Sequence, residues 1–427
     1  MNDSARPSAL VALRHRNFRL LWGGQLVSMA GSMMQSAAIL WQVSLLVPPS
    51  HRGVALGMVG LVRLVPIVVF SMVSGVAADA LDRRRLMLVT QTGMAACAVL
   101  LALVDFAGVR TLWPIYLLAA ITSAFWAFDG PARQSLVPTL VPREHLPNAI
   151  SLNTIMFQTA AVIGPALGGL VIARFGVGWA YTFNAVSFLF VIVALLLMRD
   201  LPARAPGAPS EMSWRAAREG LRFVFRTPLI RSTMLLDFFA TLFASATALL
   251  PIYAQDILRV GARGYGLLSA APSVGAMLAG LAMVPLIDRI ERRGTVLLLG
   301  IVGYGLATVV FGLSRSFAIT FLCLALTGAT DTVSMVIRNL IRQLQTPDAM
   351  RGRMTSVNMI FFMGGPQLGE LEAGLVAQAW GAPFSVVSGG IGCLLAVAWV
   401  AWRTPSLRRH RREPPAAAIE RATSGVA

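Results

Sequence analysis

Lysine is absent from this sequence of 427 residues, in which all 36 basic residues are arginine. Without lysine the chain can form neither the P-loop of an ATPase nor a lysine Schiff base. Cysteine and histidine are also scarce, with three and four residues, and their spacing fits neither a metal site nor a disulfide framework. These shortages argue against an enzyme, and we expect no cofactor and no bound metal.

Charge is scarce as well, since only 13% of residues are charged while 56% are hydrophobic and the mean hydropathy is +0.70. Apolar stretches of about twenty residues, long enough to cross a hydrocarbon core of roughly 30 Å, recur along the chain. The sequence therefore predicts an all-α integral membrane protein with twelve transmembrane helices. The predicted spans are residues 18–46, 54–78, 86–107, 112–130, 148–173, 178–198, 230–252, 264–287, 295–313, 316–337, 355–378 and 382–402.

The arginines are distributed unevenly between the two sides of such a chain. Alternating assignment places 29 on the side of both termini, 6 on the other side and Arg63 within a span. Loops rich in arginine stay in the cytoplasm, so both termini are predicted to be cytoplasmic in a multi-pass protein of the cell (inner or plasma) membrane. The net charge of +17 then reflects topology and contact with membrane lipids, and we expect no nucleic-acid partner.

The longest polar interval divides the spans into two groups of six. It includes a Pro/Ala/Gly linker and a segment in which Arg215, Arg218, Arg222 and Arg226 share one helical face, as in an amphipathic helix at the membrane surface. The predicted units are a tail of residues 1–17, an N-terminal half of residues 18–198, a linker of residues 199–229, a C-terminal half of residues 230–402 and a basic tail of residues 403–427.

The two halves repeat one another in sequence. At an offset of 205, Arg133, Pro142, Ser151 and Asn153 match Arg338, Pro347, Ser356 and Asn358. At an offset of 209, Asp79, Asp82, Arg83 and Arg84 match Asp288, Glu291, Arg292 and Arg293. Parallel six-helix repeats place a cavity at their interface near the bilayer midplane, which is typical of alternating-access transport.

The stretch "GVAADALDRRRL" resembles the loop signature G-x-x-x-D-R-x-G-R-R of the major facilitator superfamily, with Ala80 and Asp82 as departures. "RNFRLLWGGQLVS" and "TPDAMRGRMTSVN" resemble its branch of enterobactin exporters and drug efflux permeases. The resemblance covers essentially the whole chain. It implies that this loop is a cytoplasmic gate, with Asp79 pairing with Arg133 or the start of span 11 when the inner side is shut. The candidate gate residues are Gly75, Asp79, Asp82, Arg83, Arg84, Arg133, Asp288, Arg292 and Arg293.

Span 5 contains "GPALGG", which matches the end of a motif associated with antiporters in that superfamily through Gly164, Pro165, Gly168 and Gly169. Small residues also let any two membrane helices approach closely, and a proline permits a kink. Antiport and simple tight packing therefore both remain open readings of this motif.

Five ionisable residues are predicted to lie within the spans, where a charge at the helix centre costs about 2.5 to 3.5 kcal/mol. They are Arg63, Asp237, Asp331, Glu370 and Glu372. Burial disfavours an ionised carboxylate and a nearby arginine favours it, so Arg63 facing a carboxylate of the other half could couple transport to protons. The alternatives are a permanent structural ion pair or a group that reaches water. Residues two apart point to nearly opposite helix faces, so only one glutamate is expected to face the central path.

The favoured function is a secondary transporter that exports a small amphipathic compound, such as a siderophore or a drug, in exchange for protons. The alternatives are lysophospholipid translocation, uptake by symport, and a membrane receptor or enzyme that transports nothing. We expect a monomer whose partners are the small-molecule substrate, protons and lipids.

Overall fold

The computed structural model describes residues 10–199, 214–347 and 350–411, and these segments contain helices and loops but no strand. Most of the predicted N-terminal tail, residues 200–213 of the linker and the last sixteen residues lie outside the described ranges, as do the surroundings of Gly75 and the side chain of Asp79. The helices are α1 Arg16–Leu46, α2 Arg52–Ala80, α3 Arg83–Phe106, α4 Trp113–Leu136, α5 Leu146–Phe175, α6 Val177–Leu197, α7 Trp214–Arg226, α8 Pro228–Ala244, α9 Leu250–Ile252, α10 Gly261–Leu286, α11 Arg293–Leu313, α12 Phe317–Gln345, α13 Arg351–Trp380, α14 Ala382–Arg403 and α15 Pro405–Arg408.

The all-α membrane fold predicted from hydropathy is confirmed. Among the described residues, ten helical segments are long and apolar enough to cross a membrane, one of them combining α8, α9 and the turns around them. The helices α1 and α13 have 31 and 30 residues and pack within the same bundle, but are less uniformly apolar. The count of twelve spans therefore stays a prediction, although each predicted span has a helix at its position.

Each half forms its own bundle. In the N-terminal half α1 packs against α5 and α6, α4 packs against α2 and α3, and α3 packs against α6. In the C-terminal half α8 packs against α13 and α14, α12 packs against α10 and α11, and α11 packs against α14. The halves meet mainly through two pairs of helices, α2 with α13 and α5 with α10. A site shared by the halves must therefore lie near these two contacts.

The ends of the bundle can be told apart by their contacts. Near the first residues of α1, the Asn17 amide donates to the Arg199 carbonyl oxygen at 2.7 Å. Near the last residues of α14, the hydroxyls of Ser232 and Thr404 are hydrogen-bonded at 2.7 Å. We call the end of the bundle at which α1 begins and α14 ends the terminal end, and the other the opposite end.

The helix α7 is amphipathic, as predicted, but part of its apolar face packs against another helix of the protein. Val224 is buried against Met354 and Val357 of α13, whereas Leu221 and Phe225 are exposed. The linker helix therefore packs on the C-terminal half, which ties its position to α13.

Candidate transport site

Glycine residues bring α2 and α13 into contact. A Cβ atom added to Gly53 would lie 2.6 Å from the Gly374 carbonyl oxygen, and one added to Gly57 would lie 3.0 Å from the Glu370 carbonyl oxygen. At Gly60 the added atom would lie 2.9 Å from Glu370 Oε2. Only glycine allows this approach, so the α2 backbone lies directly against the Glu370 side chain.

Arg63 lies one turn beyond Gly60 on the same face of α2. Its guanidinium lies near Glu370, and its Nη2 lies 3.5 Å from the Ser36 carbonyl oxygen of α1. The structure therefore brings together two of the five candidate coupling residues, one from each half. The sequence had left open which carboxylate would face Arg63.

Two tyrosines complete the surroundings of Arg63 and Glu370. Tyr265 of α10 is buried, and its hydroxyl donates to the Ala37 carbonyl oxygen at 2.9 Å. Tyr181 of α6 is also buried and donates to Gln42 Oε1 at 2.6 Å. Arg63 and Tyr265 approach the adjacent carbonyls of Ser36 and Ala37 in α1, and Tyr181 also lies near Arg63, so side chains of α2, α6, α10 and α13 come together between the halves.

Glu372 belongs elsewhere on α13. It is half-buried and lies two residues beyond Glu370, which turns it to nearly the opposite side of the helix. Gly369, on that other side, lies against backbone carbonyls of α8. The arrangement agrees with the expectation that only one of the two glutamates faces the partner half.

Asp237 and Asp331 belong to a different cluster, inside the C-terminal half. Arg338 of α12 is 1% exposed, with its Nη1 2.7 Å from Asp237 Oδ1 of α8. Its Nη2 lies 3.3 Å from Asp331 Oδ1. Asp237 is 4% exposed whereas the Asp331 side chain is 42% exposed, so the first pair is enclosed and the second has one open side.

Asp331 borders a cavity of about 140 Å³ in the C-terminal half. The cavity is lined mainly by hydroxyl-bearing and apolar side chains of α8, α10, α11 and α12, among them Tyr304, Thr308 and Thr327. The hydroxyls of all three donate to backbone carbonyls. The pocket therefore offers mostly oxygen acceptors beside the open side of Asp331.

The N-terminal half has a related but uncharged arrangement. Arg133, the counterpart of Arg338 in the sequence repeat, donates from Nη1 to Gln25 Oε1 at 3.1 Å. Gln25 and Asp237 each lie nine residues after the first residue of α1 and α8. The sequence analysis missed Gln25 because it searched for charged partners, although an alignment of these two helices would have revealed the match.

The charged stretch after α2 is bound to its own half. Asp82 caps α3 by accepting from the Arg85 backbone N–H at 2.9 Å. Arg83 donates to the Ser135 carbonyl oxygen at 2.9 Å and Arg84 to the Leu196 carbonyl oxygen at 3.1 Å. These carbonyls close α4 and α6, where positive charge is favourable, so the arginines join three helices of the N-terminal half.

The other candidate gate residues are less alike than the repeat suggested. The backbones of Gly75 and Asp79 belong to α2, and the surroundings of Gly75 and the side chain of Asp79 lie outside the described part of the structure. Arg293 is 7% exposed at the start of α11, beside α15, whereas Asp288 and Arg292 are exposed. Arg133 is held by Gln25, as described above, so the pairing of Asp79 with Arg133 stays a prediction.

The motif in α5 lies at two different interfaces. A Cβ atom added to Gly164 would lie 2.5 Å from the Ala30 carbonyl oxygen of α1, and Gly168 faces Met34 of the same helix. Gly169 instead faces α10, where an added Cβ would lie 2.7 Å from Gly266 Cα, and the carbonyl of Pro165 faces Gly266 too. Close packing explains all four residues, and their link to antiport stays a prediction.

Polar contacts join the halves at the opposite end. Arg52 Nη1 lies 2.9 and 2.8 Å from the two carboxylate oxygens of Asp256, which lies in the π-helix Tyr253–Ile257. Gln255 Nε2 donates to Ser44 Oγ at 2.6 Å, and Gln378 of α13 donates to the Ser50 carbonyl oxygen. Together with the glycine contacts, these bonds close the opposite end. We call the Arg52–Asp256 pair the opposite-end latch.

Breaking the opposite-end latch should favour separation of the halves at that end. Arg52→Asp alone is expected to shift the balance between closed and open states about fivefold, since a partly exposed ion pair contributes up to about 1 kcal/mol. The double variant Arg52→Asp/Asp256→Arg should restore the balance because it restores the pair. The measurement is the accessibility to a charged thiol reagent of a cysteine at Ala377, which is buried where α13 meets α2, with Cys97, Cys323 and Cys393 replaced. Equal labelling of the single and double variants would contradict the latch.

An all-helical membrane bundle of two repeated halves, which meet through two pairs of helices, is the architecture of a transporter of the major facilitator superfamily. More narrowly, the chain belongs to the family described as "Transmembrane secretion effector", whose sequence profile matches residues 7–417. The protein is therefore a multi-pass inner-membrane transporter and not an enzyme.

Known proteins of similar sequence and structure agree with this assignment. The chain is 28% identical over 402 residues to the enterobactin exporter EntS of Escherichia coli O1:K1 / APEC, covering 94% of this chain and 95% of the relative. A bacterial homologue of the iron transporter ferroportin, solved in an inward-facing state, superposes with a TM-score of 0.70 at 16% identity, covering 92% of this chain and 99% of that chain. A POT family transporter in complex with a thioalcohol-conjugated peptide superposes with a TM-score of 0.73 at 12% identity, covering 92% of this chain and 96% of that chain. The two structures establish the fold alone.

Proposed function

We propose that the protein exports a small amphipathic compound, siderophore-like or drug-like, across the cytoplasmic membrane in exchange for protons. The direction is supported by its family and by its similarity to an enterobactin exporter along nearly the full length of both chains. Coupling is supported by one observation above the others: at the interface of the two halves the Glu370 side chain lies against α2 near Arg63, with its Oε2 2.9 Å from a Cβ atom added to Gly60. A charge pair at that place must change its surroundings whenever the halves rearrange.

The proposed cycle depends on the asymmetry of the bundle. With both termini in the cytoplasm, a closed opposite end means that cargo enters from the cytoplasmic side. Opening the opposite end would separate α2 from α13 and therefore Arg63 from Glu370. A carboxylate that has lost its arginine partner binds a proton more readily. Proton binding at the outer side and release at the inner side would then drive export.

The cluster of Asp237, Asp331 and Arg338 has a separate role in this proposal. Arg338 and Asp237 are enclosed and lie on helices of one half, so their distance need not change during the cycle. We assign them to holding α8 on α12. Asp331, with its open side on the cavity, remains the one member of this cluster that could exchange protons with water.

The charged stretch after α2 is proposed to act at the cytoplasmic gate through its anchored geometry. Because Arg83 and Arg84 attach it to α4 and α6, it moves with the N-terminal half as a unit. Asp79 is then the residue proposed to meet the C-terminal half when the inner side closes. An Asp79→Asn variant that keeps the wild-type balance of inward and outward states would contradict this assignment.

The experiment for the proposed function is transport in proteoliposomes with an imposed pH gradient. Enterobactin serves as the first cargo, ethidium as a drug-like cargo and a fluorescent lysophospholipid as the alternative. We expect movement of enterobactin or ethidium against the direction of proton flow, with acidification of the cargo-loaded compartment. Lysophospholipid movement alone, or cargo movement together with protons, would overturn the proposal.

A further inference from the structure

Two buried polar atoms of α13, beside Gly60 of α2, have no hydrogen-bond partner among the described residues. They are Gln367 Oε1 and Glu370 Oε2. Buried polar groups in proteins are nearly always hydrogen-bonded, because leaving one without a partner is costly. These two atoms point to a ligand that supplies the missing bonds, and the hydroxyl of Ser269 of α10, whose neighbour is the Tyr265 hydroxyl, is a third acceptor in the same region.

The two atoms of α13 belong to one surface. Gln367 and Glu370 are three residues apart, so their side chains share a helix face. The same residue of α2 meets both of them: a Cβ atom added to Gly60 would lie 2.8 Å from the Gln367 carbonyl oxygen and 2.9 Å from Glu370 Oε2. The helices α2 and α13 run antiparallel, and Arg63 follows Gly60 by one turn of α2. Its guanidinium therefore lies beside the surface formed by Gln367 and Glu370.

Ser269 approaches the same region from α10. It follows Tyr265 by one helical turn, and the Tyr265 hydroxyl binds the Ala37 carbonyl oxygen. Arg63 Nη2 points to the carbonyl oxygen of Ser36, the preceding residue of α1. Tyr265 of the C-terminal half and Arg63 of the N-terminal half therefore approach adjacent carbonyls of α1 and lie at the same depth in the bundle. Ser269 lies one helical turn of α10 further from the opposite end.

We propose that Ser269, Gln367 and Glu370 form a subsite for a hydrogen-bond-donor group of the cargo, either a pair of hydroxyls or an ammonium. The assignment rests on the proposed transport function and specifies its substrate. A carboxylate oxygen and an amide oxygen accept hydrogen bonds, and a serine hydroxyl can do so too. The positive charge of Arg63 offsets the negative charge of Glu370, so a neutral pair of hydroxyls is accommodated, whereas an ammonium would take the place of Arg63 beside the carboxylate. An anionic group would meet acceptors and a carboxylate.

The composition of the subsite also suits a transporter. Ser269, Gln367 and Glu370 all belong to the C-terminal half, while Gly60 and Arg63 of the N-terminal half close over Glu370. A donor group bound here would stay with one half when α2 moves away. Binding would therefore survive the conformational change, and release would be set by the other contacts of the cargo.

The test is direct binding to the purified full-length protein in detergent, measured by calorimetry with matched probes. The first pair is 4-ethylcatechol and its dimethyl ether, and the second is benzylammonium and benzyltrimethylammonium. In at least one pair we expect the donor-bearing member to bind about tenfold more tightly, because a site built to hydrogen-bond rejects an analogue that lacks the donor. The pair that discriminates identifies the donor as hydroxyl or ammonium.

The variants assign the discrimination to the subsite. Gln367→Leu and Ser269→Ala should each reduce it at least about threefold without changing the affinity for the methylated probe. The control is Gln343→Leu, which makes the same chemical change as Gln367→Leu at an exposed position of α12. It should leave the discrimination between donor-bearing and methylated probes intact. Equal affinities within both pairs, absence of binding by both donor probes, or full discrimination in both subsite variants would overturn the inference. Proton-driven flux of the wild-type protein tests the proposed function separately.

Discussion

Glu370→Gln should abolish proton-driven export while leaving downhill exchange of cargo largely intact. Glutamine keeps the size of the side chain and can fill the space beside Gly60, but it cannot bind and release a proton. We expect gradient-driven flux to fall at least about tenfold, because the interaction removed is the one that links the proton to the conformational change. Exchange of labelled for unlabelled cargo, with no gradient, should fall much less.

The chain provides a matched control on the same helix. Glu372→Gln makes the same chemical change two residues away, on the side of α13 turned from α2. Its gradient-driven flux should stay within about a factor of two of the wild type. If Glu372→Gln lost gradient-driven flux while Glu370→Gln retained it, the assignment of the proton site to Glu370 would be wrong. The conclusion that the protein transports its cargo would not be affected.

Asp237→Leu should cause the largest loss of stability among the substitutions considered. Among the described residues, it would leave the nearly fully buried Arg338 with Asp331, at 3.3 Å, as its remaining charged partner. Removing one member of a buried ion pair typically costs about 3 to 5 kcal/mol. Because Arg338 keeps its contact with Asp331, we expect the free energy of unfolding to fall by about 3 kcal/mol, the lower limit of that range.

The double variant Asp237→Leu/Arg338→Met distinguishes a lost charge partner from a lost contact. Replacing both members of a buried pair by apolar residues is often neutral, so most of the lost stability should return. Thermal unfolding in detergent, followed by tryptophan fluorescence, measures the series. Gln25→Leu/Arg133→Met is the matched pair in the other half. A double variant as unstable as Asp237→Leu would contradict a role limited to charge pairing.

Much of the fold could be predicted from the sequence, because membrane spans are encoded locally. Hydropathy placed α3 at residues 86–107, and the structure has Arg83–Phe106. The agreement is poorer where a helix leaves the apolar region: α12 was expected to end at residue 337 and continues to Gln345. Charged residues such as Arg338 and Arg342 lie within that extension and are buried by other helices, which hydropathy alone cannot show.

The partners of the candidate residues could be predicted only in part. A carboxylate of the other half was expected to face Arg63, but the choice of Glu370 depends on the glycine contacts that set the register of α2 and α13. Asp129 lies at the end of the predicted span 112–130, which gives no sign of its partners; it is 2% exposed and accepts hydrogen bonds from Thr90 and Gln91. Pairing between distant helices is decided by packing, which leaves little signal in a single sequence.

The central claim is alternating access around Arg63 and Glu370, and two distances, one at each end of the bundle, test it most directly. Spin labels at Arg110→Cys and Arg315→Cys, exposed at the opposite end in different halves, report opening there. Labels at Arg85→Cys and Arg409→Cys report the terminal end. Acidification with enterobactin present should lengthen the first distance while it shortens the second, and Glu370→Gln should suppress the response to acidification. Distances that stay fixed at both ends under all conditions, or that lengthen together, would contradict the account.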